Sequence, residues 1–483
     1  MSVRRWVTGA LALVCAVALG PVGVAAAAVS CPAPLFTEAS PPTSAQCLAR
    51  AGVQCYSPAQ MEHAYGLRPL YRKGYDGRGR TIIIVDPYGS PTIGTDLAYF
   101  DKQTGLPDPP HFRVIAPVGP IPPFPAINPH HVTAYERERI VKADETTGDV
   151  EVAHEIAPGA DILLVETPVS ETARGGGFAA MMAAEQYVFE HNMGDVVSQS
   201  FSLPEQNFGR AAIRRLRHPY LTAYNDGVSV FGATNDNGVS GSSPSGNSLY
   251  RDRVVQWPAS DPLVTAVGGT DIHLNEAGNR IAPDTAWNDT WNPFVADLTA
   301  ACHAPPLAWA GGGGVSSIFK RPKYQDAVRN IVGAHRGLPD ISMNAAISDG
   351  VLLYSSFLGA GVWGEGGGGT SASTPEFAAI IAIADQMAHK RLGLISPYLY
   401  ELERRHASGI IDITRGTNTV SFHTNQETNT GPIISVNGYH ARRGYDLVTG
   451  VGTPNAALLV SELVKLARQS TGQRTHKIPS FSG

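Results

Sequence analysis

A lone serine stands between a glycine-rich turn and an apolar helix in Gly368-Gly369-Thr370-Ser371-Ala372-Ser373-Thr374-Pro375. Residues 376–384 are apolar nearly all round, so the helix they form belongs in the middle of a domain and needs other layers to cover it on every side. Pro375 suits the first turn of that helix. A hydroxyl there lies at the positive end of the helix dipole, and glycine lets a substrate backbone come close. This is a setting for a nucleophile, but taken alone the segment reads more plainly as a serine that merely caps a core helix.

A second segment, Glu145-Thr146-Thr147-Gly148-Asp149-Val150-Glu151-Val152-Ala153-His154-Glu155-Ile156-Ala157-Pro158-Gly159-Ala160, leads into the strand-like Ile162-Leu163-Leu164-Val165. Glu145 and Asp149 are four residues apart, which on a helix stacks two carboxylates on one face and favours a shared proton. Such a pair can act as a general base at acid pH, where histidine is already protonated. By spacing alone an acidic, solvated first turn of a helix is the plainer reading.

Taken together, these segments resemble the sedolisins, the serine-carboxyl peptidases, which look like subtilisins with a glutamate in place of the catalytic histidine. Gly369-Thr370-Ser371-Ala372 with Pro375 is the part shared with subtilisins, and Glu145, Asp149, Val150-Glu151-Val152-Ala153 and Ala157-Pro158-Gly159-Ala160 carry the sedolisin pattern. Asn235-Asp236-Asn237-Gly238, Trp257-Pro258-Ala259-Ser260, Val264 to Thr270 and Gly311-Gly312-Gly313-Gly314 follow in the family's order, so the resemblance spans residues 56–466. It implies an α/β fold, a subtilisin-like parallel sheet with helices on both faces in a single large domain. The apolar runs at 81–85, 161–165, 196–198 and 228–231, alternating with helical stretches, fit that fold, with Asp86 at the carboxyl end of the first run.

Carried over residue by residue, the resemblance implies that Ser371 attacks the scissile carbonyl of a protein or peptide substrate and forms an acyl-enzyme. Glu145 takes the serine proton, Asp149 shares charge with Glu145, and Asp86 supports the network. Asp236 donates a hydrogen bond to the oxyanion, which requires it to be protonated. Read without the resemblance, Asp236 is a turn residue. One structural Ca²⁺ site is also implied, with the carboxylates of Asp412 and Asp446 and the carbonyls of Ile413, Arg442 and Gly444 as oxygen ligands. The plainer reading of those residues is a pair of Asp turns. Whether cleavage is internal or tripeptidyl from the amino end is left open.

Arg4-Arg5, the apolar stretch 7–19 and Ala25-Ala26-Ala27-Ala28 read as an export signal over residues 1–28, too short to span a membrane. The expected product is secreted, with 29–55 a short segment in place of a large folded prodomain, 56–468 the peptidase domain and 469–483 a disordered tail. Cys15 leaves with the leader, and Cys31, Cys47, Cys55 and Cys302 remain for two disulfides in any of three pairings. Net charge is −5 and only 16% of residues are charged, against an average of about 25%, so nothing points to nucleic acid. A monomer is expected.

Three departures from the family bear on function. The prodomain is short, a tryptophan position holds Phe201 and so loses an indole N–H near the acidic network, and Ser202 and Leu203 replace glycines along the substrate strand. They leave room for a catalytically degenerate binding protein on the same fold. A neutral Ser-His-Asp hydrolase would need a histidine near Ser371, and His154 lies at a different angle on the helix of Glu145.

Overall fold

The computed structural model describes residues 36–37, 39–128, 131–173, 177–244, 248–292, 308–425 and 430–469. The expected leader, Cys31, Cys302 and residues 470–483 lie outside these. Among the described residues one eight-stranded sheet dominates. Its order is Thr285–Ala286, Thr265–Asp271, Ser229–Ala233, Val196–Gln199, Thr81–Pro87, Asp161–Thr167 and Phe112–Ile115, with Ile341–Asn344 also pairing to Thr265–Asp271. All pairings are parallel except that of the short edge strand Thr285–Ala286.

A parallel sheet of this kind is covered on both faces, and its strands read accordingly. Ile82, Ile84, Ile162 and Leu164 point into one core, where they meet Phe377 and Ile380 to Ala384 of the helix Gly369–Ala388. Ile83, Val85, Leu163 and Val165 point the other way, toward Met181, Val188, Tyr220 and Trp257. Each such side chain, withdrawn from water, contributes about 2 kcal/mol, and the two-residue period fixes which core it joins.

Two helices matter for the site. The acidic helix, Ala134–Ile156, begins with a capping box in which the Thr133 hydroxyl accepts from the Glu136 N–H while Glu136 accepts from the Thr133 N–H. The serine helix, Gly369–Ala388, packs directly against it. It begins earlier than the sequence predicts. Gly368 is extended and Gly369 takes φ +77°, which only glycine adopts without strain, so the helix starts before Ser371. Ser371 therefore sits in the first turn and is not the cap, and Pro375 lies inside the helix, not in its first turn.

The packed body also begins before residue 56. Helix Ser44–Ala51 leads into strand Gln54–Tyr56, which pairs in parallel with Asp349–Ser355, and a disulfide joins Cys47 to Cys55. At the other end Gln469 is still helical, the last residue of Ala456–Gln469, whose apolar face is buried against the serine helix.

Candidate active site

The sheet register brings the site's parts to one edge. Asp86 is opposite Glu166 near the carboxyl ends of their strands, Ser200 follows Gln199, and Asp236 lies just beyond Ala233. The serine helix crosses this edge with its first turn. Pro375 has no N–H to give to the carbonyl four residues back, which is that of Ser371. That carbonyl instead accepts from the Ser200 hydroxyl at 3.3 Å, so an interior proline ties the serine to the neighbouring strand.

The Ser371 side chain lies beside the Glu145 carboxyl and favours its charged form. Asp149, one turn further on, and Asp86 are both buried, with Ser200 a neighbour of Asp149 and Thr146 a neighbour of Asp86. Oε1 of Glu145 and Oδ2 of both Asp86 and Asp149 have no hydrogen-bond partner. Neighbouring carboxyls with free oxygens are the arrangement in which protons are shared. Burial is the main cause of their raised affinity for protons: Glu145 is pushed up to about 7, with Lys142 and Ser371 opposing, and Asp86 to about 8, with Glu145 adding repulsion. Asp149 is also raised well above the usual carboxylate range, by burial and then by Asp86 and Glu145.

Asp236 approaches the serine helix from the other side. Its Oδ1 accepts from the Thr370 N–H at 2.7 Å and from the Thr370 hydroxyl at 2.9 Å, and the Asn235 N–H holds that hydroxyl at 3.1 Å. Oδ2 lies over Gly369, 2.7 Å from where a Cβ would be. Burial raises the Asp236 proton affinity while the two Thr370 bonds lower it. With Oδ1 occupied by donors, a retained proton resides on Oδ2.

Phe201 is not beside the acidic network. It is buried in the second core, edge-to-face with Phe178 at 5.7 Å. His154 is fully buried with Nε2 2.8 Å from the Pro107 carbonyl and 3.3 Å from Asp101, so it is engaged away from Ser371. The glycines at 311–314 are packing residues: a Cβ on Gly312 would meet the Thr234 carbonyl at 2.0 Å and one on Gly313 the Leu447 carbonyl at 2.2 Å. The sequence reading passed over Lys142, Glu171, Ser200 and Thr370. Only Lys142 carries a sequence signal, being three residues before Glu145 on the same helix.

The expected calcium ligands gather in one loop region. Asp446 Oδ2 accepts from the Arg442 N–H at 2.8 Å, and Asp412 Oδ2 from the Gly444 N–H at 3.0 Å. The Ile413 side chain is buried against Ala286, Ala441 and Val448, which leaves its carbonyl as the group available to a cation. Asp446 Oδ1 is committed to the N–H groups of Val448 and Thr449. Glu403, unforeseen from sequence, lies against Gly444, and the negative charge of Asp412 raises its proton affinity after burial does. An oxygen-only donor set with excess negative charge suits a hard divalent ion. Asp271, His273 and Asp349 form a different cluster, with ligand atoms within 4.8 Å of one another. Its histidine is raised to about 9, first by the bond to Asp349, and a protonated imidazole is an ion-pair partner, not a metal ligand.

A serine on a central helix, carboxyl groups on the neighbouring helix and a carboxyl at the sheet edge meet on a parallel sheet covered by helices, a subtilisin-like fold. The model of the Subtilase family matches residues 140–398, and the chain belongs to that family, in its sedolisin branch. Kumamolisin from Bacillus sp. (strain MN-32) is 30% identical over 431 residues, covering 87% of this chain and 66% of its own length. Tripeptidyl-peptidase 1 of Bos taurus is 30% identical over 281 residues, 55% of this chain and 42% of its own length. The chain thus spans just under two thirds of the first relative and about two fifths of the second. Pseudomonas sedolisin, a serine-carboxyl proteinase solved with two molecules of pseudo-iodotyrostatin, superposes with a TM-score of 0.65 at 23% identity, over 88% of this chain and all of its own.

Proposed function

We propose that the chain is a serine-carboxyl peptidase acting on the acid side of neutrality. The observation that carries this is that Ser371 has the Glu145 carboxyl as a neighbour while Asp236 is fixed to the adjoining Thr370. Asp149 and Asp86 share the negative charge that Glu145 carries at rest. Glu145 is neutralised as it takes the proton from Ser371 Oγ, while that oxygen attacks the peptide carbonyl and the charge passes to the oxyanion. Asp236 donates its Oδ2 proton to the oxyanion. Glu145 then protonates the leaving amine, and water releases the acyl group by the reverse path.

The active form needs Glu145 charged and Asp236 neutral. The value of about 7 for Glu145 includes repulsion from an ionised Asp236. With Asp236 neutral that repulsion is absent, so Glu145 ionises below about 7 and the two requirements meet at acid pH. Rates on a denatured protein substrate from pH 3 to 8 test the reading. A bell on the acid side, lost in Ser371→Ala and Glu145→Gln, is expected; a maximum at neutrality, or wild-type rates in Ser371→Ala, defeats it.

We further infer an exported protein, on the strength of the apolar stretch after Arg4-Arg5, with a leader over residues 1–28, a peptidase domain over 56–468 and flanking segments at 29–55 and 469–483. No helix among the described residues is long and apolar enough to cross a membrane. A single structural Ca²⁺ held by Asp412, Asp446 and the carbonyls of Ile413, Arg442 and Gly444 would neutralise the repulsion between Asp412 and Glu403. Excess chelator should then lower the melting temperature, and an unchanged melting curve counts against the ion.

A further inference from the structure

The acidic helix carries a third ionisable group on the face of the base pair. Lys142 is one turn before Glu145 and two turns before Asp149, so the three side chains share one stripe. Its Nζ is 2.7 Å from Glu171 Oε1 in the segment after strand Asp161–Thr167, and the two side chains are only 12% and 9% exposed. A lysine is rarely withdrawn from water so far unless paired. One partner would satisfy its charge, yet Glu145 and Asp86 also lie within its field, so a single cation stands among several acids.

Resting on the peptidase reading above, we propose that Lys142, held in place by Glu171, is a positioning residue that keeps one negative charge on the Asp86–Glu145–Asp149 set and so fixes the lower pH limit of activity. Lys142 acts directly on Glu145, Asp86 and Asp149, in each case favouring the charged form. Glu171 acts in the opposite sense on Glu145 and Asp86. The other charged groups facing Glu145 are Asp236 from the sheet edge and Asp144 from its own helix. Lys142 is not among the influences on Asp236, whose affinity is set by burial and Thr370.

The two members of the pair therefore have opposite effects, which a purely structural ion pair would not. The experiment is kcat/KM against pH for wild type, Lys142→Met, Lys142→Arg, Glu171→Gln and Ser371→Ala, each checked for a cooperative melting transition. Lys142→Met should move the acid limb up by about one pH unit, Glu171→Gln should move it down, and Lys142→Arg should restore the wild-type limb. The alkaline limb should stay in place throughout. An unmoved acid limb in Lys142→Met, or shifts in the same direction for both neutral variants, overturns the inference while leaving an inactive Ser371→Ala, and hence the peptidase reading, intact. If Lys142→Met does not fold, Glu171→Gln decides alone: a downward shift supports the role, and no shift or an upward one overturns it.

Discussion

Asp236 accepts two hydrogen bonds at Oδ1 from Thr370, at the start of a helix whose dipole favours a negative charge, yet it has to carry a proton at Oδ2 to serve an oxyanion. Burial is what opposes the dipole. Asn at this position keeps an acceptor for Thr370 and places a permanent donor where Oδ2 was. Asp236→Asn should therefore retain a measurable rate with its alkaline limb displaced upward or absent, and Asp236→Ala should lose about 10²–10³ in kcat; equal losses in the two variants would deny Asp236 a donor role. Gly369 makes the same contact from below. A methyl there would have to occupy φ +77° and overlap Oδ2 at 2.7 Å, so Gly369→Ala should reduce kcat at least tenfold, about 1.4 kcal/mol, with KM little changed. Steady-state kinetics on one peptide separates the two parameters, and a rise in KM alone would place Gly369 in substrate binding instead.

The two central helices show what could be read in advance and what could not. The strands at 81, 161, 196 and 229 were legible because buried parallel strands are unbroken apolar runs, and Ser371, Glu145, Asp149 and Asp236 were legible because a family pattern holds them at fixed spacings. The start of the serine helix was not, since it depends on Gly369 adopting a positive φ under Asp236, a tertiary contact. Nor was the acidic helix's burial, because its sequence is polar and nothing local says that Glu151 and Glu155 face inward. Glu155 on that helix and Glu376 on the serine helix are fully buried, repel each other when charged, and have all four carboxyl oxygens without a partner. Both hold their protons well above the usual carboxylate range because of burial. A raised acid contributes stability that is complete below the unfolded value and is lost as pH rises, at about 1.4 kcal/mol for each pH unit of the raise. Glu376→Gln, which mimics the protonated side chain, should melt like wild type at pH 4 and several degrees higher at pH 7.5. Parallel melting curves at both pH values would mean that Glu376 is not protonated in the fold.

Across the whole molecule the same sign recurs. Glu185 is fully buried with both carboxyl oxygens free of partners, and Asp144, Glu151 and Asp385 are likewise raised, each with burial as the first cause. Between about pH 4.5 and 8 the folded chain therefore holds protons that the unfolded chain has released, and stability falls with rising pH. His273 pulls in the same direction: raised to about 9, it stabilises fully below its unfolded value near 6.5, and that contribution is lost as pH climbs toward 9. The main opposing carboxylate is Glu401, lowered to about 2 by Arg404 and Arg405, but its side chain is about a third exposed and the pair is worth little in solvent. A low content of charged residues leaves few cations to repel one another once the surface carboxylates are protonated in acid. Most proteins are steadiest between about pH 5 and 8. This chain should instead melt highest near pH 4 to 5 and lose several degrees by pH 8, since in a chain of this size each kcal/mol shifts the melting temperature by roughly 1 °C. Calorimetry across that range decides it, and a melting temperature at pH 7.5 equal to or above that at pH 4.5 would mean the buried acids are ionised in the fold, removing the low-pH preference of both the scaffold and the site it carries.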